Sequence, residues 1–229
     1  MDFSFLADTM QQLLGGLPLT VELAGISISV GAALAVLLAL LRAAFLPGAW
    51  FVRFYVYVLR GTPLLLQIFL IYYGIGQFAF VRDSIFWPFL RQPYWCAILA
   101  LSLNTAAYGS EIIRGGLQSV PVGATEAARV SGMSGLLLYR RIILPLAIRQ
   151  ALPTYGNEMV IMVKSTSLAS IVTLMEVSGI SYAIISETYR ALEVFLCAGS
   201  IYLALNFLLT RAIAGVEYWL NPHLRMAAA

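Results

Sequence analysis

Long apolar runs separated by short charged segments set the layout of this chain. Residues 17–41 hold a single ionisable side chain, Glu22, and a run of that length crosses a bilayer as a helix. Residues 63–80, 94–113, 147–170 and 195–219 read the same way, so the pattern predicts an all-α membrane protein with about five transmembrane helices. The fourth run is the most polar, because Pro153, Gly156, Glu158 and Lys164 fall inside it. Between residues 164 and 193 a short outer-face helix or gate loop is expected. Residues 1–229 then form one transmembrane domain with a cytoplasmic insert at 119–145.

Composition agrees with this reading. At 61% hydrophobic and 11% charged residues, with a mean hydropathy of +0.86, the chain is no ordinary soluble domain. Its basic residues give an orientation. Arg42, Arg53 and Arg60 fall in one segment between runs, and Arg114, Arg129, Arg140, Arg141 and Arg149 in another. Arg211 and Arg225 lie towards the C-terminus, whereas the opposite side keeps Arg82, Arg91 and Arg190 among the acids Asp83, Glu187 and Glu193. By the positive-inside rule the N-terminus is outside and the C-terminus cytoplasmic. The net charge of +3 is thus a topology signal and not a nucleic-acid footprint. Asp2 and Asp8 precede the first run without any Lys or Arg, which marks a retained span instead of a cleaved signal. Cys96 and Cys197 lie in separate apolar runs and read as packing residues, while His223 stands alone, so no metal site is expected. Trp50, Trp87, Trp95 and Trp219 fall near span ends, as an aromatic belt does.

The insert carries its own pattern. Ser119 is placed to cap a helix and Pro121 suits its first turn. Glu126 is expected near the positive end of that helix, and Ala127 and Ala128 keep one face compact. Gly132 is suited to a left-handed helix end, and Ile142, Leu144 and Pro145 lead back to the membrane. A short helix-turn-helix with a small-residue face is the result, either a solvated loop or a docking element.

Ionisable and polar groups at membrane depth by default suggest a site or a pathway. Glu158, in the fourth run beyond Pro153 and beside Gly156, is the leading candidate to meet a cationic ligand, with Asn157 next to it. The competing reading pairs Glu158 with Lys164, a poor helical spacing. Asn104, Tyr108 and Glu111 share one helix face. Asn104 and Tyr108 could hold a ligand carboxylate or amine, or make interhelical hydrogen bonds, whereas Glu111 is expected to pair with Arg114. Thr62 and Gln67 could line a pathway at the start of the second run, and Glu22 reads as a boundary residue.

Several motifs together resemble one family. The segment Glu126-Ala127-Ala128, three residues, Gly132, nine residues, Ile142-Ile143-Leu144-Pro145 resembles the coupling motif of the membrane subunits of bacterial ATP-binding-cassette importers. Arg60-Gly61-Thr62-Pro63-Leu64-Leu65-Leu66-Gln67 and Asn104-Thr105-Ala106-Ala107-Tyr108-Gly109-Ser110-Glu111 resemble the second and third spans of polar amino-acid importers. Leu152-Pro153, Gly156-Asn157-Glu158 and Lys164-Ser165-Thr166-Ser167-Leu168 resemble the fourth. Within the family the likeness is to histidine, lysine/arginine and opine (octopine, nopaline) permeases of the histidine M type. Trp87-Pro88-Phe89-Leu90-Arg91 and Glu193-Val194-Phe195 are similar to the opine branch.

The resemblance implies a type I importer fold in the bacterial inner membrane and a chain that is not an enzyme. Its implied partners are a sister permease subunit in a heterodimer, two ATP-binding subunits and a periplasmic binding protein. ATP and Mg would be bound by the ATPase and no cofactor by this chain. The residues agree on that point: the one lysine, Lys164, follows Val163, so no phosphate-binding loop of the Gly-Lys-Ser/Thr type exists. Two other readings compete with this one. An ion-gradient-driven secondary transporter usually shows repeated halves with matching broken helices, which five spans with one broken helix do not give. A scaffold would have little reason to keep buried polar residues.

Overall fold

Residues 2–220 are described by a computed structural model, which leaves His223 and Arg225 outside the described residues. The helices are α1 (Phe3–Leu14), α2 (Leu17–Ala44), α3 (Leu46–Gly61), α4 (Leu64–Phe69), α5 (Ala79–Arg82) and α6 (Trp87–Leu90). They continue with α7 (Pro93–Gln118), α8 (Val122–Val130), α9 (Gly135–Leu138), α10 (Leu144–Ser165), α11 (Val177–Thr188) and α12 (Ala191–Leu220). No strand occurs among the described residues. Three stretches are long and apolar enough to cross a membrane, Phe3–Ala44, Pro93–Gln118 and Ala191–Leu220. Two bent pairs, Leu46–Gly61 with Leu64–Gln77 and Gly135–Val172 with Val177–Thr188, raise that to five if each is one span.

The centre is α7, which packs α2 along its length. Leu23 of α2 clusters with Ala97 and Ile98, Gly31 meets Thr105, Ala35 meets Gly109, and Arg42 pairs with Glu111. Residue numbers rise together on both helices, so α2 and α7 run parallel. Small residues make the approach possible: a Cβ on Gly31 would stand 2.6 Å from Thr105 Cβ, and one on Gly109 2.8 Å from Ala35 Cβ. In lipid, where apolar side chains gain little by leaving the solvent, such close backbone packing is what holds helices together. On the other flank α10 runs antiparallel to α7, with Ala147 and Ala151 against Gly116 and Tyr155 near Gly109. Helix α12 covers α10 where Gly156 meets Ile213, and it joins α1 through Leu13, Val194 and Cys197.

Helix α3 occupies residues that the apolar pattern left between runs. It meets α4 at 105°. The cause is local: Pro63 cannot donate an N–H, and Thr62 before it is extended at φ −115° and ψ 144°. Asp2 caps α1, its Oδ1 accepting from the Ser4 hydroxyl at 2.7 Å and the Ser4 N–H at 3.1 Å. The Ser4 hydroxyl, then the Phe5 N–H, hold its carboxyl below the ordinary range.

Residues 166–188 form a 3-10 turn, Thr166–Val172, followed by α11. The start of α11 is held by Glu176, which is fully buried. Its carboxylate accepts from the Gly179 N–H at 2.9 Å, the Tyr202 hydroxyl at 2.6 Å and the Thr20 hydroxyl at 3.4 Å. One acidic side chain therefore ties α2, α11 and α12 together, with hydrogen bonds offsetting the cost of its burial.

Candidate functional site

The α3–α4 bend is closed from inside. Where a helix ends at membrane depth its last carbonyls need donors. Gln67 Nε2 donates to the carbonyls of Leu59 at 2.7 Å and Thr62 at 3.1 Å, and to the Thr62 hydroxyl at 3.0 Å. Asn104 Nδ2 in turn donates to Gln67 Oε1 at 3.1 Å. Asn104 lies near the midpoint of α7, so the end of α3, with Arg60 on it, reaches the level of the middle of the bundle. Reading Arg60 as a loop charge is corrected by this placement. Thr62, Gln67 and Asn104 form a bracket under the bend and do not line the cavity described next. For Asn104 this bond to Gln67 is the interhelical contact that the sequence offered as the alternative.

A cavity of about 640 Å³ lies between the end of α3, the second half of α7 and the middle of α10. Arg60, Tyr108, Glu111, Arg114, Asn157 and Glu158 are in its wall. The Arg60 guanidinium lies over the Tyr108 ring, 4.8 Å from its centroid. Glu158 is 7% exposed and, among the described residues, makes no ion pair, so the alternative pairing with Lys164 is absent. Glu111 has the expected partner and a second one: its carboxylate pairs with Arg114 at 2.6 Å and with Arg42 from α2. Gly156 is not a loosened point of α10, which continues through it; the residue is glycine because Ile213 stands where a Cβ would go. Glu22 is exposed and accepts from the Tyr94 hydroxyl at 2.6 Å.

The insert is α8, a turn and α9. Helix α8 starts from Pro121, while Ser119 closes α7 and gives its hydroxyl to the Gly116 carbonyl, so the expected capping by Ser119 does not occur. Glu126 lies in the second turn of α8, beyond the first-turn residues where the helix dipole is felt most. Ala128 is buried, whereas Glu126 and Ala127 are exposed. Gly132 takes φ +82°, with its N–H on the Arg129 carbonyl and the Met133 N–H on the Ala128 carbonyl, the paired bonds of a Schellman turn. Pro145 lies just inside α10, and the turn before it, Tyr139–Ile143 with Ile142 in it, widens to π geometry. A proline there offers no N–H to the carbonyl four residues earlier, and the Leu144 N–H reaches the Tyr139 carbonyl instead.

Comparison with known proteins decides what this arrangement belongs to. Residues 23–221 match the family described as binding-protein-dependent transport system inner membrane component. This chain belongs to that family. It is a multi-pass inner-membrane component of a transport system and not an enzyme, and ATP hydrolysis falls to another polypeptide. The octopine transport system permease protein OccM of Rhizobium meliloti is 57% identical over 225 residues, covering 96% of this chain and 91% of its own length. The nopaline transport system permease protein NocM of Agrobacterium fabrum is 51% identical over 227 residues, 98% of this chain and 94% of that one. The arginine ABC transporter permease protein ArtM of Escherichia coli K12 is 44% identical over 169 residues, 73% and 75% of the two chains. Among solved structures, an amino acid ABC transporter crystallised with histidines superposes with a TM-score of 0.84 at 30% identity, over 95% of this chain and 98% of the other.

Sequence reasoning missed two residues of consequence. Arg60 enters the sequence reading only as a topology charge and as the start of the motif that opens the second span, and Glu176 has no role there because its ligands are Thr20, 156 residues away, and Tyr202. An isolated acid in an apolar stretch was the one available signal for Glu176.

Proposed function

We propose that this chain is the permease subunit of an ATP-driven importer that passes cationic amino acids or opines, received from a periplasmic binding protein, across the inner membrane. Relatives that carry octopine, nopaline or arginine in their names support this substrate class. The observation that carries it here is Glu158, a buried carboxylate that makes no ion pair among the described residues, in the wall of a cavity of about 640 Å³. A guanidinium or ammonium entering that cavity would supply the missing counter-charge. Tyr108 and Asn157 in the same wall would complete the site. A sister permease subunit and two ATPase subunits complete the proposed assembly, with the N-terminus outside. The face of α8 that carries Glu126 and Ala127, with the Gly132 turn and the Ile142–Pro145 segment behind it, would seat in a groove of an ATPase subunit.

The test is ATP-dependent uptake of labelled arginine into proteoliposomes holding the complete transporter and its binding protein. Lysine, histidine, glutamine and opines serve as competitors. Glu158→Gln should lower uptake of cationic substrates selectively. Unchanged affinity and rate in that variant, or uptake that follows an ion gradient without ATP, would overturn the proposal.

A further inference from the structure

The charges around the cavity divide unevenly. Two carboxylates and two guanidiniums are in its wall. One of each is spent: Glu111 is shared between Arg42 and Arg114, and Arg114 also donates to Gln118 at 2.5 Å. Among the described residues, the other two, Arg60 and Glu158, have no ion-pair partner. They sit on separate helices, α3 and α10, in the wall of the same cavity.

The pose of Arg60 adds to this. The guanidinium carbon lies over the Tyr108 ring, and among the described residues none of its N–H groups makes a hydrogen bond. A guanidinium seated over a ring with its N–H groups unengaged is suited to a planar anion, which it can meet with two parallel hydrogen bonds. We infer that Arg60, held by Tyr108, receives the carboxylate of the transported molecule, while Glu158 receives its cationic end. This rests on the cation site proposed above and deepens it: the cavity takes a molecule with separated charges of both signs, and Arg60 sets the demand for the negative one. Asn104 is not placed for the carboxylate, because it is bonded to Gln67 at the bend and lies outside the cavity wall.

The two ends can be tested separately on one preparation, the assembled transporter without its binding protein, so that upstream selection is removed. Equilibrium binding of arginine is compared with agmatine, which lacks the carboxylate, and with citrulline, which lacks the cationic end. Arg60→Gln should reduce the preference for arginine over agmatine about tenfold or more while leaving the preference over citrulline in place. Glu158→Gln should do the reverse. Arg60→Lys, which keeps the charge without the planar fork, should restore part of the arginine preference, and it carries the test if Arg60→Gln does not assemble. An arginine-to-agmatine ratio unchanged by either Arg60 variant would overturn the role of Arg60 while leaving Glu158 standing. An arginine-to-citrulline ratio unchanged by Glu158→Gln would remove the cation site. A wild-type transporter that binds neither arginine nor octopine would overturn both.

Discussion

Asn104 of α7 reaches Gln67 of α4 at 3.1 Å, and through it the free carbonyls at the end of α3. The sharpest turn in the chain is thereby fastened to its central helix. Asn104→Ala would leave Gln67 Oε1 without its donor, at a cost of about 1–3 kcal/mol. The thermal midpoint of the purified transporter should fall while arginine affinity stays unchanged. A loss of affinity with unaltered stability would return Asn104 to the list of substrate contacts.

Glu111 separates two arginines. Glu111→Gln would leave Arg42 and Arg114 without a counter-charge at a site that is partly open, their side chains being 23% and 37% exposed. A cost on the order of 1–2 kcal/mol is expected, below that of a fully buried pair. Denaturation of the detergent-purified protein would measure it, and adding Arg42→Gln should recover part of the loss. No recovery would mean that the pair does not couple α2 to α7.

Two glycines of α2 differ in what surrounds them. A side chain on Gly31 would collide with Thr105, whereas around Gly25 nothing stands within 4 Å of a new Cβ. Gly31→Val should destabilise by about 1–3 kcal/mol through overpacking. Gly25→Ala should be nearly silent in the same melting experiment. Equal effects at the two positions would remove the small-residue seam as the source of α2–α7 contact.

The turn after α8 depends on Gly132 at φ +82°. Gly132→Val would strain that turn by about 1–2 kcal/mol, whereas Gly132→Asn, whose side chain tolerates the left-handed region, should be milder. Co-purification of the ATPase subunits should fall with valine and recover with asparagine, the chain itself still inserting. Normal ATPase retention and uptake with valine would sink the docking role of this segment.

The all-helical fold and the helix-turn-helix insert were legible because each leaves a short-range mark. Apolar run length reports membrane helices, and Gly132 with Pro145 reports a turn and a helix start. The Glu111–Arg114 pair was legible for the same reason, being three residues apart on one helix. What escaped was long-range. The bend at Pro63 places Arg60 beside Tyr108, and no spacing rule relates residues on two helices whose crossing is unknown. Glu158 could be chosen from sequence by its cost at membrane depth, but its lack of a partner could be seen only once Lys164, Arg114 and Arg60 had positions.

The parallel course of α2 and α7 has a consequence for biogenesis. Neighbours that run in the same direction cannot follow each other through a tight loop, and here about 50 residues separate the end of one from the start of the other. At roughly 5–20 residues per second of translation, about 4–15 s pass between the synthesis of Gly31 and that of Thr105, its partner 74 residues on. Through that interval Gly31 and Ala35 face lipid or the insertion machinery instead of Thr105 and Gly109. The innermost seam of the finished protein thus stays open until α7 is made, and a newborn chain presents as its outside what will become its centre.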